Sequence, residues 1–186
     1  MLYSLLFRLV FAQMDPESAH HFVATCLKLA RALRLTKLVR LKPKKVRHIE
    51  AFGLDFSGPF GLAAGFDKNG EMIEALADLG FSHIEVGTVT AIAQPGNEKP
   101  RLFRLIPDRA LINRMGFNNQ GAEVVARRLT KLRKRAGGRL PVIGVNIGKS
   151  RVVDVENAVA DYRASAKLLA PLADYVAVNV SSPNTP

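Results

Sequence analysis

Four short apolar runs constrain this chain more than any other feature. Residues 60–64, 83–88, 141–147 and 175–180 are rich in Val, Ile, Ala and Gly and read as buried strands. Helical patterns separate them at 71–79, stopped by Gly80, at 121–136, and at 155–169. The middle helix turns Val124, Val125, Leu129 and Leu132 inward, keeps a basic outer face and ends at Gly137-Gly138. Strands alternating with helices imply a parallel α/β sheet. An open doubly wound sheet and an eight-stranded barrel both satisfy this pattern. A short strand at 54–56 comes before it. A hairpin of 102–106 and 110–112, turning through Pro107-Asp108, reads as an insertion.

Polar and small residues gather just after each core strand. They are Gly65, Asp67, Lys68 and Asn69, then Thr88 and Thr90, then Asn146, Gly148, Lys149 and Ser150, and finally 179–186. In α/β folds the carboxyl ends of the strands face one side, where ligands bind. Any one of these loops is explained by caps and turns. Four in succession favour a binding site. The last one, Asn179-Val180-Ser181-Ser182-Pro183-Asn184-Thr185-Pro186, brings two amides and three hydroxyls to the end of a strand. That set suits a small polar ring and the removal of a proton from it.

The N-terminal segment has a different texture. Residues 1–14 are mostly apolar, too few to span a bilayer, and lack the basic start and small-residue cleavage site of a signal peptide. Asp15-Pro16 predicts an N-cap and first turn for a helix over 16–35. Its apolar face would be Phe22, Val23, Leu27, Ala30 and Leu33, with Lys28, Arg31 and Arg34 on another side. Lys37, Arg40, Lys42, Lys44, Lys45 and Arg47 follow. The pattern fits an interfacial anchor on an anionic membrane and, equally, a helical hairpin packed on the next domain. The net charge of +11 suits either. Nucleic acid is disfavoured, because the basic residues lack interleaved aromatics. The single cysteine, Cys26, excludes a disulfide framework, and no Cys/His pairs fall at zinc spacing.

Several motifs mislead. Residues 144–150, GVNIGKS, have three residues between glycines where a phosphate-binding P-loop needs four. No G-x-G-x-x-G follows the first strand. Asn179-Val180-Ser181 is formally a glycosylation sequon, yet it sits at a strand end. His83 begins a strand and reads as structural.

Seven motifs then occur in one order: Ala63-Ala64-Gly65-Phe66-Asp67-Lys68, Glu85-Val86-Gly87-Thr88-Val89-Thr90, Pro95-Gly96-Asn97, Pro100-Arg101-Leu102-Phe103-Arg104, 113–119 (NRMGFNN), Asn146-Ile147-Gly148-Lys149, and 179–184. In these the chain closely resembles the dihydroorotate dehydrogenases. The resemblance implies a (β/α)8 barrel holding FMN. Ala64, Gly65, Phe66, Asp67, Lys68, Thr88, Asn146 and Asn179 would contact the flavin. Lys68, Asn113, Arg114, Met115, Gly116, Phe117, Asn179 and Asn184 would hold dihydroorotate or orotate. Serine at position 182 would be the catalytic base, since the membrane-associated, quinone-reducing class uses serine where the soluble class has cysteine. That class also carries a helical extension, here residues 1–46, serving membrane association and quinone access. The barrel would begin at 47. For a bacterial chain the implied location is the cytoplasmic face of the inner membrane.

A complete barrel of this kind takes about 250 residues, and its phosphate site usually lies after strands 7–8. Only four core strands are legible in 186 residues. The expectation is therefore about the first half of a barrel, inactive alone. The alternatives are a non-catalytic membrane-binding module, or a half-barrel that needs a partner chain.

Overall fold

A computed structural model describes residues 2–38, 48–137 and 140–181. Two helices come first, α1 (Leu2–Leu9) and α2 (Pro16–Ala32). Asp15 opens α2, its Oδ2 accepting the Ser18 N–H at 2.8 Å, with Pro16 in the first turn. The helix ends before residue 35, because Arg34 turns left-handed (φ 60°) ahead of a 3-10 turn at Leu35–Lys37.

A hairpin of β1 (Ile49–Ala51) and β2 (Leu54–Phe56) follows. The sequence marks only its second strand. Its turn places Phe52 (φ 55°) and Gly53 (φ 72°) in the left-handed region. Phenylalanine there hides the Asn-Gly or Asp-Gly signature expected of such a turn. Next come β3 (Gly61–Leu62), α3 (Ile73–Asp78), β4 (His83–Val89), the antiparallel hairpin β5 (Leu102–Leu105) and β6 (Ala110–Asn113), α4 (Ala122–Ala136), β7 (Val142–Gly148), α5 (Ala158–Leu169) and β8 (Tyr175–Asn179). The helix expected from 155 starts as a 3-10 turn at Val155–Asn157.

The four core strands form one parallel sheet in the order β3-β4-β7-β8. Its helix-side face is apolar: Ile84 and Val86 of β4 and Ile143, Val145 and Ile147 of β7 pack with Ile73 and Leu76 of α3, Val125 and Leu129 of α4, and Leu169 of α5. Glu85, Gly87, Gly144 and Asn146 alternate with these residues and occupy the opposite face.

The seating of α2 corrects the sequence reading. Phe22 and Leu33 of its expected apolar face are exposed, while Glu17, Ala19 and Ala24 are buried. Ion pairs set this rotation. Lys28 reaches Glu71 at 2.7 Å, and Arg31 reaches Glu74 at 2.8 Å and Asp78 at 3.7 Å. Thr36 donates to Asp78 at 2.6 Å.

Candidate active site

The carboxyl ends of the strands converge as the sequence predicts. Beyond β3 the chain runs through Ala63, Ala64 and Gly65 into a loop anchored by Asp67. The Asp67 carboxylate is buried, and its oxygens accept the Glu71 and Met72 N–H groups at 2.8 and 2.7 Å. This is why α3 begins at Ile73 and not at 71. Burial pushes the Asp67 carboxyl above its ordinary range, against the pull of these backbone donors. What Asp67 contributes is the shape of the loop. Its carbonyl accepts the Gly87 N–H at 3.3 Å, and Gly65 donates to the Gly87 carbonyl at 2.7 Å.

Gly65 has φ +107°, and a Cβ built there would meet nothing within 4 Å. The exposed backbone at Ala63 and Gly65 is thus a shelf that a flat ring could approach closely. Gly87 is different: a side chain there would strike the Asn146 carbonyl, so β4 and β7 touch backbone to backbone.

A hydrogen-bond network crosses the open face of the sheet. Thr88 Oγ1 donates to Asn146 Oδ1 at 2.6 Å, and Asn146 Nδ2 donates to Glu85 Oε1 at 2.9 Å. Tyr175 donates its phenol to Glu85 Oε2 at 2.9 Å. Asn179 Nδ2 lies 3.3 Å from Thr88 Oγ1, and the Asn179 carbonyl accepts Tyr162 at 2.6 Å. Burial first, then the Glu85 carboxylate, raises the Tyr175 phenol above its ordinary pKa. Glu85 and Tyr175 were not singled out from sequence. The available signal was a lone carboxylate within the apolar alternation of β4.

Lys68 faces the loop after β6. Its Nζ donates to Asn118 Oδ1 at 2.6 Å and lies 3.1 Å from Met115 Sδ. Burial and the nearby Arg101 guanidinium hold its pKa down, to about 8. The loop follows the expected residues with one addition, Asn118. Asn113 Oδ1 accepts the Met115 N–H at 2.9 Å. Gly116 (φ +74°) and Phe117 (φ 52°) are both left-handed, and the Phe117 ring packs where a side chain at Gly148 would sit. Arg114 turns toward the hairpin, donating to the Pro100 carbonyl at 3.0 Å with its guanidinium 5.8 Å from the Phe103 ring centre. Phe66 packs partly against the core and meets the His20 ring edge-on at 4.9 Å. Ser182 and Asn184 lie outside the described residues.

The residues present fit a flavin. An open glycine shelf, a hydroxyl and two amides at adjacent strand ends, and a lysine across from them offer a flat face, edge hydrogen bonds and one cation.

Comparison with known proteins identifies the family. The family model described as dihydroorotate dehydrogenase matches residues 47–186. A protein of Clavibacter michiganensis subsp. michiganensis named dihydroorotate dehydrogenase (quinone) is 58% identical over all of this chain and 54% of its own length. One of Streptomyces coelicolor with the same name is 56% identical over 50% of its length. The chain thus spans about half the length of the curated relatives it matches. Among solved structures, the Eimeria tenella enzyme in complex with ferulenol superposes with a TM-score of 0.80 at 42% identity, covering 92% of this chain and 45% of that one. Its ligand-free form gives 0.77. The parallel sheet, the site at its carboxyl edge and these likenesses place the chain in the dihydroorotate dehydrogenase family.

Proposed function

We propose that these residues supply half of an active site that oxidises dihydroorotate to orotate, with FMN as cofactor and a quinone as final acceptor. The observation that carries this reading is the meeting of Lys68 with Met115 and Asn118, beside the Thr88–Asn146–Asn179 network. Lys68 offers a cation to the substrate carboxylate, and the 113–118 loop and Asn179 offer donors and acceptors to the pyrimidine edge. When bound, FMN supplies the hydride acceptor. Ser182 takes the proton from the neighbouring ring carbon, and Asn184 holds the substrate. A serine hydroxyl is a weak base, so its surroundings must activate it.

The N-terminal helices support membrane association. Tyr3, Leu5, Leu6 and Leu9 of α1, Phe22 and Leu29 of α2, and Leu33 just past its end are exposed. Among the described residues no helix is long and apolar enough to cross a membrane. The proposed seat is therefore interfacial, on an anionic surface at the cytoplasmic face, with the quinone reached through residues 1–46.

The sheet has two open edges, β3 and β8, among the described residues. The 186 residues by themselves are expected to retain FMN weakly and to form no orotate. Fusion to the C-terminal half of the Clavibacter relative is the test. Orotate formation, followed by absorbance with a quinone acceptor, should appear in the fusion. It should fall by about 10²–10⁴ in Ser182→Ala. A fusion that binds FMN stoichiometrically but ignores dihydroorotate would refute the assignment.

A further inference from the structure

Glu17 stands in the first turn of α2, yet it is only 4% exposed. Its Oε1 accepts Arg101 Nη2 at 2.6 Å, and its Oε2 accepts Arg101 Nε at 3.0 Å. Arg101 is 6% exposed and precedes β5 directly. Its remaining nitrogen, Nη1, donates to the carbonyls of Pro95 at 2.6 Å and Asn97 at 2.9 Å. Burying two charges is costly and is offset only by good geometry and hydrogen bonding, and here all three guanidinium nitrogens donate. An apolar contact would dock a helix with less penalty. The arrangement does something an apolar contact would not: it shapes the 95–101 segment.

That segment leads to the site. The Asn97 N–H donates to the Met115 carbonyl, and the Arg114 N–H to the Arg101 carbonyl, both at 2.9 Å. Met115 and Asn118 in turn hold Lys68. A second contact starts one turn along α2, where His20 meets Phe66, the neighbour but one of Lys68. Hydrogen bonding from Arg101 holds the Glu17 carboxyl down at about 2, so the pair is ionised at neutral pH.

We propose that Glu17 and Arg101 are positioning residues, through which the seating of α2 fixes the 95–118 segment and, with it, the place of the Lys68 ammonium. The consequence for substrate rests on reading Lys68 as the carboxylate-holding cation. The coupling itself does not. A helix with an exposed apolar face would thereby transmit its own seating to the site.

Hydrogen exchange and lysine 13Cε titration on the ligand-free chain test this. Three charged or titratable groups bear on Lys68: Arg101, Glu17 and His20. In Glu17→Gln, amides in 95–118 should exchange about tenfold faster or more, while β7 stays unchanged. Lys28→Ala, which removes an exposed pair on the same helix, should leave 95–118 alone. The Lys68 midpoint should drop below about 8, because Arg101 is left without its counter-charge. Unchanged exchange, equal acceleration by Lys28→Ala, or a Lys68 midpoint that stays or rises toward an ordinary lysine, as a merely loosened fold would give, overturns the proposal. If Glu17→Gln does not fold, the double variant Glu17→Gln/Arg101→Gln removes both charges together. Faster exchange there supports the coupling, and retained protection overturns it. All readouts are taken without ligand, so their failure leaves the dihydroorotate assignment standing. Absence of orotate binding in the fusion leaves the coupling standing.

Discussion

The two faces of the four-stranded sheet are specified by different physics. On the helix side, Ile84, Val86, Ile143, Val145 and Ile147 are all nearly or fully buried, and shape and area decide what fits. On the open side the same strands carry Glu85, Asn146, Thr88 and Tyr175, held by directed hydrogen bonds. The first face tolerates exchange among hydrophobes of similar volume. The second tolerates little, because each polar group fixes the orientation of the next. Glu85 takes the Asn146 amide N–H, which leaves the Asn146 oxygen facing Thr88.

This contrast can be broken from either side. The largest effect is expected on the apolar face, where Leu129→Ala should cost about 2–5 kcal/mol in denaturant unfolding. Leu129 is fully buried between sheet and helix. A loss below 1 kcal/mol would mean that α4 collapses onto the sheet and that this face is looser than described. On the polar face, Glu85→Ala leaves the Tyr175 phenol and the Asn146 amide without their acceptor, at about 1–3 kcal/mol. Tyr175 should then titrate lower, nearer an ordinary phenol, which ultraviolet absorbance reads directly. The cation at the mouth gives a pH test. Lys68 is depressed to about 8, so its charge is present below that pH and lost above it. In the FMN-loaded fusion, orotate affinity should fall as pH rises through about 8. A profile flat to pH 9.5 would remove Lys68 from substrate binding. The smallest effect is reserved for the rim: Lys28→Ala, at a partly exposed ion pair, should change stability by about 0–1 kcal/mol.

The same contrast explains what could be read from sequence. Helix-side positions follow hydrophobic period, so α4 and the core strands emerge with boundaries close to those observed. The open face has no such period, and its residues emerged through ordered motifs. Glu85 and Tyr175 escaped because each looks like an ordinary strand residue until the register brings Gly144 beside both. The rotation of α2 was misread because its ion-pair partners Glu71 and Glu74 lie 43 residues away. The first strand at Ile49–Ala51 escaped because Phe52 occupies a turn position usually marked by Asn or Asp.

The strand order β3-β4-β7-β8 has a consequence for how the molecule comes into being. Each parallel neighbour is the next core strand along the chain, although β7 reaches β4 only after the β5–β6 hairpin and α4 have been made. A ribosome emits residues in the order in which the sheet accepts them, at about 5–20 per second, slowly enough for each strand–helix unit to settle on the preceding edge before the next arrives. The growing edge is always the newest strand. During synthesis β8 is thus a nascent template, an open edge that pairs with whatever extended segment reaches it first.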